Sequence, residues 1–368
     1  MISTESSPTI NLISNHHKLA KATDLAIARN WMEQIELNNS EGPGVYDVLR
    51  CDLIKEYGRP TTFKVWGQEF HLNRLKNSFH SKFRAGRSDD KEETRIANEQ
   101  SMSIISALLS KMLEHERGKI DSIDSKNHEV LCEIFRISLL WTPAGYNNII
   151  VRGHASISGD IMVPYQTPAL IVATVALPKD KLLALPDRRE PHIKLSSWSR
   201  SRRPLENRET FMPDGVEEVL LLHENQSTDS LKRYEVLEGL TSNFFVIYTD
   251  GTIRTANDHV LLGYIRHLVI QFAPGCGLTL DDRPINLDDG RQGLWAETFI
   301  TSSSRLIYPI KKILIPDYDG DSTNTGNNRT GLNWKVLWEV ESSDNTSTES
   351  IEPKWSILLK EILKYGGY

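Results

Sequence analysis

Residues 235–255 read EVLEGLTSNFFVIYTDGTIRT. Glu238 stands before a glycine and a small polar triplet, and then comes the apolar run Phe244-Phe245-Val246-Ile247. An unpaired carboxylate at the mouth of a strand buried on both faces is costly, so Glu238 needs a cationic or N–H partner. An Arg, a Lys or a backbone amide at a strand edge serves as well as a ligand does. Two further features fit the same kind of ligand. Gly263 precedes a helix start, where exposed N–H groups and the positive end of the helix dipole can seat a phosphate. Thr301-Ser302-Ser303-Ser304 sets four hydroxyls between two apolar strands, and hydroxyls can donate to phosphate oxygens. Taken singly, each is equally an ordinary glycine–helix junction or a plain polar turn.

The surrounding periodicities say what must position these groups. Asp250-Gly251 between two strand-like runs signals a tight hairpin. Ile265, Leu268, Val269 and Phe272 recur at helical spacing, with Pro274-Gly275 as the stop. ETFITSSSRLIYPIKKILI reads as strand, hydroxyl loop, strand. In the first half, helical spacing covers 23–37 and 99–113. Strands are expected over VYDVLRCDLI, TTFKV, HEVLCEIFRISLLW, NNIIVRGHASI and PALIVATVALP. A turn at Gly67 precedes a helix carrying Arg74. The charged stretch RAGRSDDKEETR reads as a solvated loop or helix start. These patterns predict an α+β chain. Its parts are an N-terminal extension over 1–40, a first domain over 41–180, a linker over 181–192 and a second domain over 193–368. The polar stretches near 320 and 345 read as surface insertions, and PKWSILLKEILKY as a closing amphipathic helix.

The chain has 368 residues, 39% apolar and 25% charged, long enough for about two domains with their own cores. A net charge of −6 gives no general reason to expect nucleic acid or an anionic membrane as partner. Cys51, Cys132 and Cys276 are far apart and form no CxxC pair, which argues against a disulfide framework or a metal site and for an intracellular, cytoplasmic protein. No stretch approaches the ~20 apolar residues that span a bilayer. The N-terminal residues have no basic end followed by an apolar core. Their Ser and Thr content fits a disordered tail or an organelle transit segment.

EGLTSNFFVIYTDGTIRT…VLLGYIRHLVI followed by ETFITSSSRLIYPI resembles the C-terminal domain of the class IV aminotransferases, the fold type IV pyridoxal-phosphate enzymes. These include branched-chain aminotransferase, D-amino acid aminotransferase and aminodeoxychorismate lyase. Four separated motifs agree in order over 235–310. In the first half, GPGVYDVLR is similar to the family's Gly-x-Gly-Val-Tyr/Phe-Glu strand, and EFHLNRLKNS to its His-x-x-Arg-Leu-x-x-Ser helix. KLSSWSRSRRPLE is similar to members with a Trp soon after the lysine.

The resemblance implies a two-domain, D-amino acid aminotransferase-like fold with pyridoxal 5'-phosphate in the interdomain cleft of a homodimer. It implies Lys194 as the lysine that carries the cofactor's aldehyde as a Schiff base and moves the proton during turnover. Glu238 then faces the pyridine nitrogen, and a carboxylate there keeps that nitrogen protonated. Arg74 would grip the phosphate, joined by the backbone at Tyr264 and Ile265 and by Ser303. Tyr46, Arg136 and Ser302 are the substrate-side candidates. Arg136 is equally read as a strand-edge salt bridge, and the RSRR cluster at 200–203 as a solvated helix face.

Two departures stand out. Ser199 occupies the position where branched-chain members carry a Tyr, and Lys194 and Glu238 lie farther apart than the family usually places them. The function expected is transamination between an amino acid and a 2-oxo acid. A lyase acting on 4-amino-4-deoxychorismate, or a catalytically weak paralogue used for binding, are the alternatives.

Overall fold

A computed structural model gives the protein's structure and describes residues 12–15, 43–55, 59–83, 91–121, 131–144, 148–157, 171–176, 190–206, 215–225, 233–317, 333–340 and 352–366. The chain divides into two units, 1–163 with 193–200, and 164–192 with 201–368.

The first unit contains β1 (Leu12–Asn15), β2 (Val45–Lys55), β3 (Thr62–Val65), α1 (Gln68–Phe83), α2 (Lys91–Asp121), β4 (Leu131–Ala144) and β5 (Asn148–Ile157). Its sheet runs β1-β5-β4-β2-β3, antiparallel except for the β1–β5 pair. Alternation decides what the sheet buries. Val45, Leu49, Cys51 and Leu53 of β2 join Ile137, Leu139 and Trp141 of β4 in one core. Leu72, Leu75 and Phe79 of α1 complete it at helical spacing, with Ile105, Leu108, Leu109, Met112 and Leu113 of α2. Phe79 stacks on Trp141 with centroids 4.0 Å apart. Gly67, at φ 57°, makes the left-handed turn that admits α1.

The second unit contains β6 (Ile171–Ala176), β7 (Val216–Asn225), β8 (Arg233–Gly239), β9 (Asn243–Tyr248), β10 (Thr252–Arg254), α3 (Tyr264–Phe272), β11 (Thr279–Leu280), α4 (Leu287–Arg291), β12 (Trp295–Ser302), β13 (Leu306–Asp317), β14 (Asn333–Glu339) and α5 (Lys354–Tyr365). Its strands follow β11-β10-β9-β12-β13-β6-β7-β8, and β8 pairs back onto β9. The strands from β9 round to β8 therefore form a closed, barrel-like ring, which removes exposed sheet edges. The closing pair is Glu238↔Asn243. All six residues of β9 are buried, as its unbroken apolar run requires.

Several expectations change. The strand over 171–176 belongs to the second unit, because β6 pairs in parallel with β13 and β7. Residues 193–200, assigned from sequence to the second domain, lie in the first unit. A strand exists within the N-terminal extension, at Leu12–Asn15. The helix expected over 99–113 runs from Lys91 to Asp121 and so absorbs the end of the charged stretch. α3 ends at Phe272 with Ala273 as its cap, directly before Pro274-Gly275 as expected. They sit in a 3-10 turn, Ala273–Cys276, which ends at Gly277 with φ 73°. The helix expected over 23–37, most of the linker over 181–192, and the polar insertions at 318–332 and 341–351 lie outside the described residues. Among the described residues no helix is long and apolar enough to cross a membrane.

Candidate active site

The site candidates divide between the units, and each group is built within its own. In the first unit the organising residue is Asp47. It occupies an inward position of β2 between Val45 and Leu49, where the alternation otherwise calls for an apolar side chain, and it is completely buried. α1 supplies the compensation. Arg74 donates from Nε to Asp47 Oδ2 at 2.8 Å and from Nη2 to Oδ1 at 2.5 Å. His71, one turn earlier on the same face, sets Nδ1 3.1 Å from Oδ1. The backbone N–H of Val48 adds a bond of 2.7 Å to Oδ1.

Lys194 reaches the same carboxylate from a distant part of the chain. Its segment pairs with the start of β2: Tyr46 N donates to Lys194 O at 2.9 Å and Ser196 N to Gly44 O at 2.9 Å. Ser196 Oγ accepts from Gly44 N at 3.0 Å. This places Lys194 Nζ 3.8 Å from Asp47 Oδ1 and 5.1 Å from the centroid of the Tyr46 ring. Burial alone would push the Asp47 carboxyl up. Arg74, His71 and Lys194 outweigh that and hold it well below the usual carboxylate range. Burial holds the His71 imidazole below its ordinary value, against the pull of Asp47. Its Nδ1 also lies 3.1 Å from Arg74 Nη2, so carboxylate, imidazole and guanidinium form one buried cluster. Arg136 lies in β4, where its backbone pairs with Arg50; its side chain falls outside the described part.

In the second unit, three residues of β8, β9 and β12 fall in one row across the barrel wall. Glu238 on β8 pairs with Asn243 on β9, which pairs with Thr301 on β12. Glu238 is only 5% exposed. Its Oε2 accepts from Leu261 N at 3.1 Å and from Asn243 Nδ2 at 3.3 Å. The Asn243 amide also donates to Leu261 O at 2.6 Å and accepts from Gly263 N at 3.2 Å. One side-chain amide thus links the carboxylate to the N-terminal end of α3, the segment holding Tyr264 and Ile265.

Gly263 is needed here for space. Its φ of −81° suits any residue, but an added Cβ would lie 2.4 Å from Asn243 Oδ1. Gly263→Ala is expected to displace the amide and lower stability by about 1–3 kcal/mol. Thermal unfolding reads this, and an unchanged Tm would show that Asn243 moves aside without cost. Glu218 on β7 braces the neighbouring loop, accepting from Leu240 N at 3.1 Å and Ser242 Oγ at 2.8 Å. Arg305 lies 3.8 Å from the same carboxylate.

The hydroxyl loop folds partly on itself. Arg305 N donates to Ser302 Oγ at 3.1 Å, Ser302 and Ser304 hydroxyls lie 3.4 Å apart, and Leu306 takes a left-handed φ of 55°. Thr301 Oγ1 is buried with no hydrogen-bond partner, so one donor of this loop has none of its own within the described chain. Arg202, within the cluster read as a solvated face, is instead 6% exposed and paired with Glu206 at 2.8 Å.

The structure brings Tyr46, Arg74 and Lys194 together, and separately aligns Glu238 with the α3 start and the strand that leads into Ser302 and Ser303. Asp47, His71, Asn243 and Glu218 were not singled out from sequence. For Asp47 a signal existed: an acid on the inward register of an apolar strand. The amide bridge of Asn243 had none, since it depends on the approach of the 261–263 loop.

These residues fit pyridoxal phosphate. A buried carboxylate held by N–H donors suits a ring nitrogen. A lysine beside an arginine suits an aldehyde and a phosphate, and the orphaned Thr301 hydroxyl has a donor to give. Residues 164–313 match the Amino-transferase class IV family. No protein of curated function matches the chain. Among solved structures, the chain is similar to a putative branched-chain amino acid aminotransferase of Thermotoga maritima, at 17% identity over 91% of this chain and 89% of that one, TM-score 0.47. It is also similar to the Escherichia coli branched-chain amino acid aminotransferase, at 15% identity over 88% and 84%, TM-score 0.47. A hypothetical aminotransferase of Mycobacterium tuberculosis, in its alpha-ketoglutarate and PMP bound form, is similar at 19% identity over 75% and 83%, TM-score 0.43. Over residues 164–313, then, the chain matches the class IV aminotransferase family of pyridoxal-phosphate-dependent enzymes.

Proposed function

We propose that the protein moves an amino group between an amino acid and a 2-oxo acid, with Lys194 as the amine that holds the cofactor. The observation that carries this reading is the convergence of Lys194 and Arg74 on Asp47. The bound cofactor supplies an electron sink for the bond broken at the substrate's Cα. The chain's residues do the rest. Arg74, whose Nε–Nη2 edge is engaged by Asp47, would meet phosphate through the other end of its guanidinium. Within the second unit, the N–H groups at the start of α3 and the hydroxyls of the 301–304 loop are suited to phosphate oxygens. Glu238 would accept from the protonated ring nitrogen of the bound cofactor. Lys194 takes the Cα proton as a base and returns it as an acid. Tyr46 borders the lysine from the substrate side. A homodimer is part of the same reading.

The test is a panel of D- and L-amino acids with a 2-oxo acid acceptor, with the new amino acid measured chromatographically. Transfer from at least one donor is expected. Release of pyruvate from 4-amino-4-deoxychorismate, without transfer, would assign lyase chemistry instead.

Arg74 has two duties that mutagenesis separates. Arg74→Ala leaves a buried carboxylate short of its main partner, which costs about 3–5 kcal/mol. Arg74→Lys keeps a cation for Asp47 but loses the fork. It is expected to melt near wild type yet lose its colour on dialysis. Full retention of cofactor by Arg74→Lys would assign the phosphate to other groups.

A further inference from the structure

We propose that Arg266 is a positioning residue: it fastens the 256–263 loop so that Leu261 N–H stays on Glu238 and fixes the direction of that carboxylate. This deepens the proposed function and rests on Glu238 being the partner of the cofactor's ring nitrogen.

Arg266 is a costly residue for its place. It stands in the first turn of α3, where the positive end of the helix dipole disfavours a cation. It is only 7% exposed, and its Nε is buried with no hydrogen-bond partner within the described chain. α3 buries Ile265, Leu268 and Val269 around it, so an apolar side chain at 266 would carry none of these costs. What the guanidinium reaches explains its presence. Nη2 donates to Ala256 O at 3.0 Å and to Asn257 Oδ1 at 2.5 Å. Burial lowers the guanidinium below its ordinary value, and the charge of Glu238 works against that, so the two groups sense each other.

The segment so held is the one that meets Glu238. Residues 255–263 form neither strand nor helix, and Asn257, Asp258, His259 and Leu262 are exposed. His259 takes a left-handed φ of 60° and stacks on His223 with centroids 5.0 Å apart. A segment with no ladder of its own keeps its course through side-chain ties. Asn243 ties the far end, at Leu261 O and Gly263 N. Arg266 ties the near end, just after Thr255 Oγ1 bonds Phe244 O at 2.8 Å.

Leu261 N donates to Glu238 Oε2 at 3.1 Å, so its aim depends on the course of the loop on both sides. With the near end released, the loop can swing about the Asn243 bonds and carry this N–H off the carboxylate. Of the two donors described at Oε2, that leaves the longer bond, from Asn243 Nδ2 at 3.3 Å. A carboxylate turned away from a ring nitrogen holds the ring proton less well, which slows turnover without expelling the cofactor.

The experiment has two arms. In the full, cofactor-free chain, amide hydrogen exchange is followed by mass spectrometry on peptides covering 256–263. Arg266→Leu is expected to speed exchange there about tenfold, and Asn257→Ala, an exposed change that removes one acceptor, about threefold. The second arm is a double-mutant cycle on the cofactor-loaded enzyme. Because Arg266 acts through Glu238, Arg266→Leu should lower kcat about tenfold in the wild-type background and leave Glu238→Gln no slower than it already is. Arg266→Lys, which restores a cation without the planar fork, should recover part of the loss. Exchange at the wild-type rate in folded Arg266→Leu overturns the proposal, as does an equal loss of kcat in both backgrounds. If Arg266→Leu does not fold, Asn257→Ala decides, and an unchanged exchange rate there overturns it. A Glu238→Gln enzyme with the wild-type kcat would instead remove the reading on which the proposal rests, and faster exchange in Arg266→Leu would still show the tie.

Discussion

Lys194→Ala is expected to fold, to show no visible absorbance band with added pyridoxal phosphate, and to lose transamination by about four orders of magnitude or more. Folding should survive because the lysine's structural contribution is made by its backbone, which bonds Tyr46 N through its carbonyl whatever the side chain. Asp47 keeps Arg74 and His71 when the ammonium is removed, so no buried charge is stranded. A pair at 3.8 Å with a part-exposed partner contributes about 1 kcal/mol or less. Thermal unfolding of the cofactor-free variant close to wild type, together with the missing band, is the expected pattern. A band of wild-type intensity would move the cofactor amine elsewhere in the chain, and a collapse in Tm would mean that the lysine's main role is structural.

Glu238→Gln is the second large effect. The substitution is nearly isosteric, and the donors described at Oε2, Leu261 N and Asn243 Nδ2, can be accepted by the single oxygen of an amide. The barrel closure at Glu238↔Asn243 and the link to Gly263 should therefore persist, and cofactor should stay bound. What disappears is the negative charge. A neutral amide cannot hold a ring nitrogen protonated, so turnover should fall by about 10²–10³, the range seen when one preorganised charge-stabilising group is removed. Absorbance after dialysis and single-turnover rates with one competent amino acid separate retention from chemistry. Turnover at the wild-type rate would return Glu238 to a structural role, as the acid that fastens the 261–263 loop.

The two experiments probe groups with different origins in the chain. Glu238 was visible because its surroundings are local: a carboxylate, a glycine, a polar triplet and a buried strand follow one another within a few residues. The Asp250-Gly251 turn was legible for the same reason, and Gly251 takes φ 82° while Thr252 N bonds Asp250 Oδ1 at 2.9 Å. The start of α3 after Gly263 also followed from spacing alone. Lys194 was different. Its flanking residues Ile193 and Leu195 are buried, but nothing in its neighbourhood distinguished it from other lysines without the family pattern.

By itself, then, the sequence determined the elements whose signals are short-range: strands by alternation, helices by their apolar stripe, turns by Gly, Asp and Pro, and the motif order that carries the family. The tertiary structure decided which distant segments meet. It moved residues 171–176 into the barrel, because a parallel pair needs partners that no local pattern names. It brought Thr301 into line with Asn243 and Glu238, since the β12–β9 register pairs residues far apart in the chain. And it turned Asp47 from an oddly placed acid into the shared counter-charge of Arg74 and Lys194, since a buried charge is tolerated only where the whole fold delivers its partners.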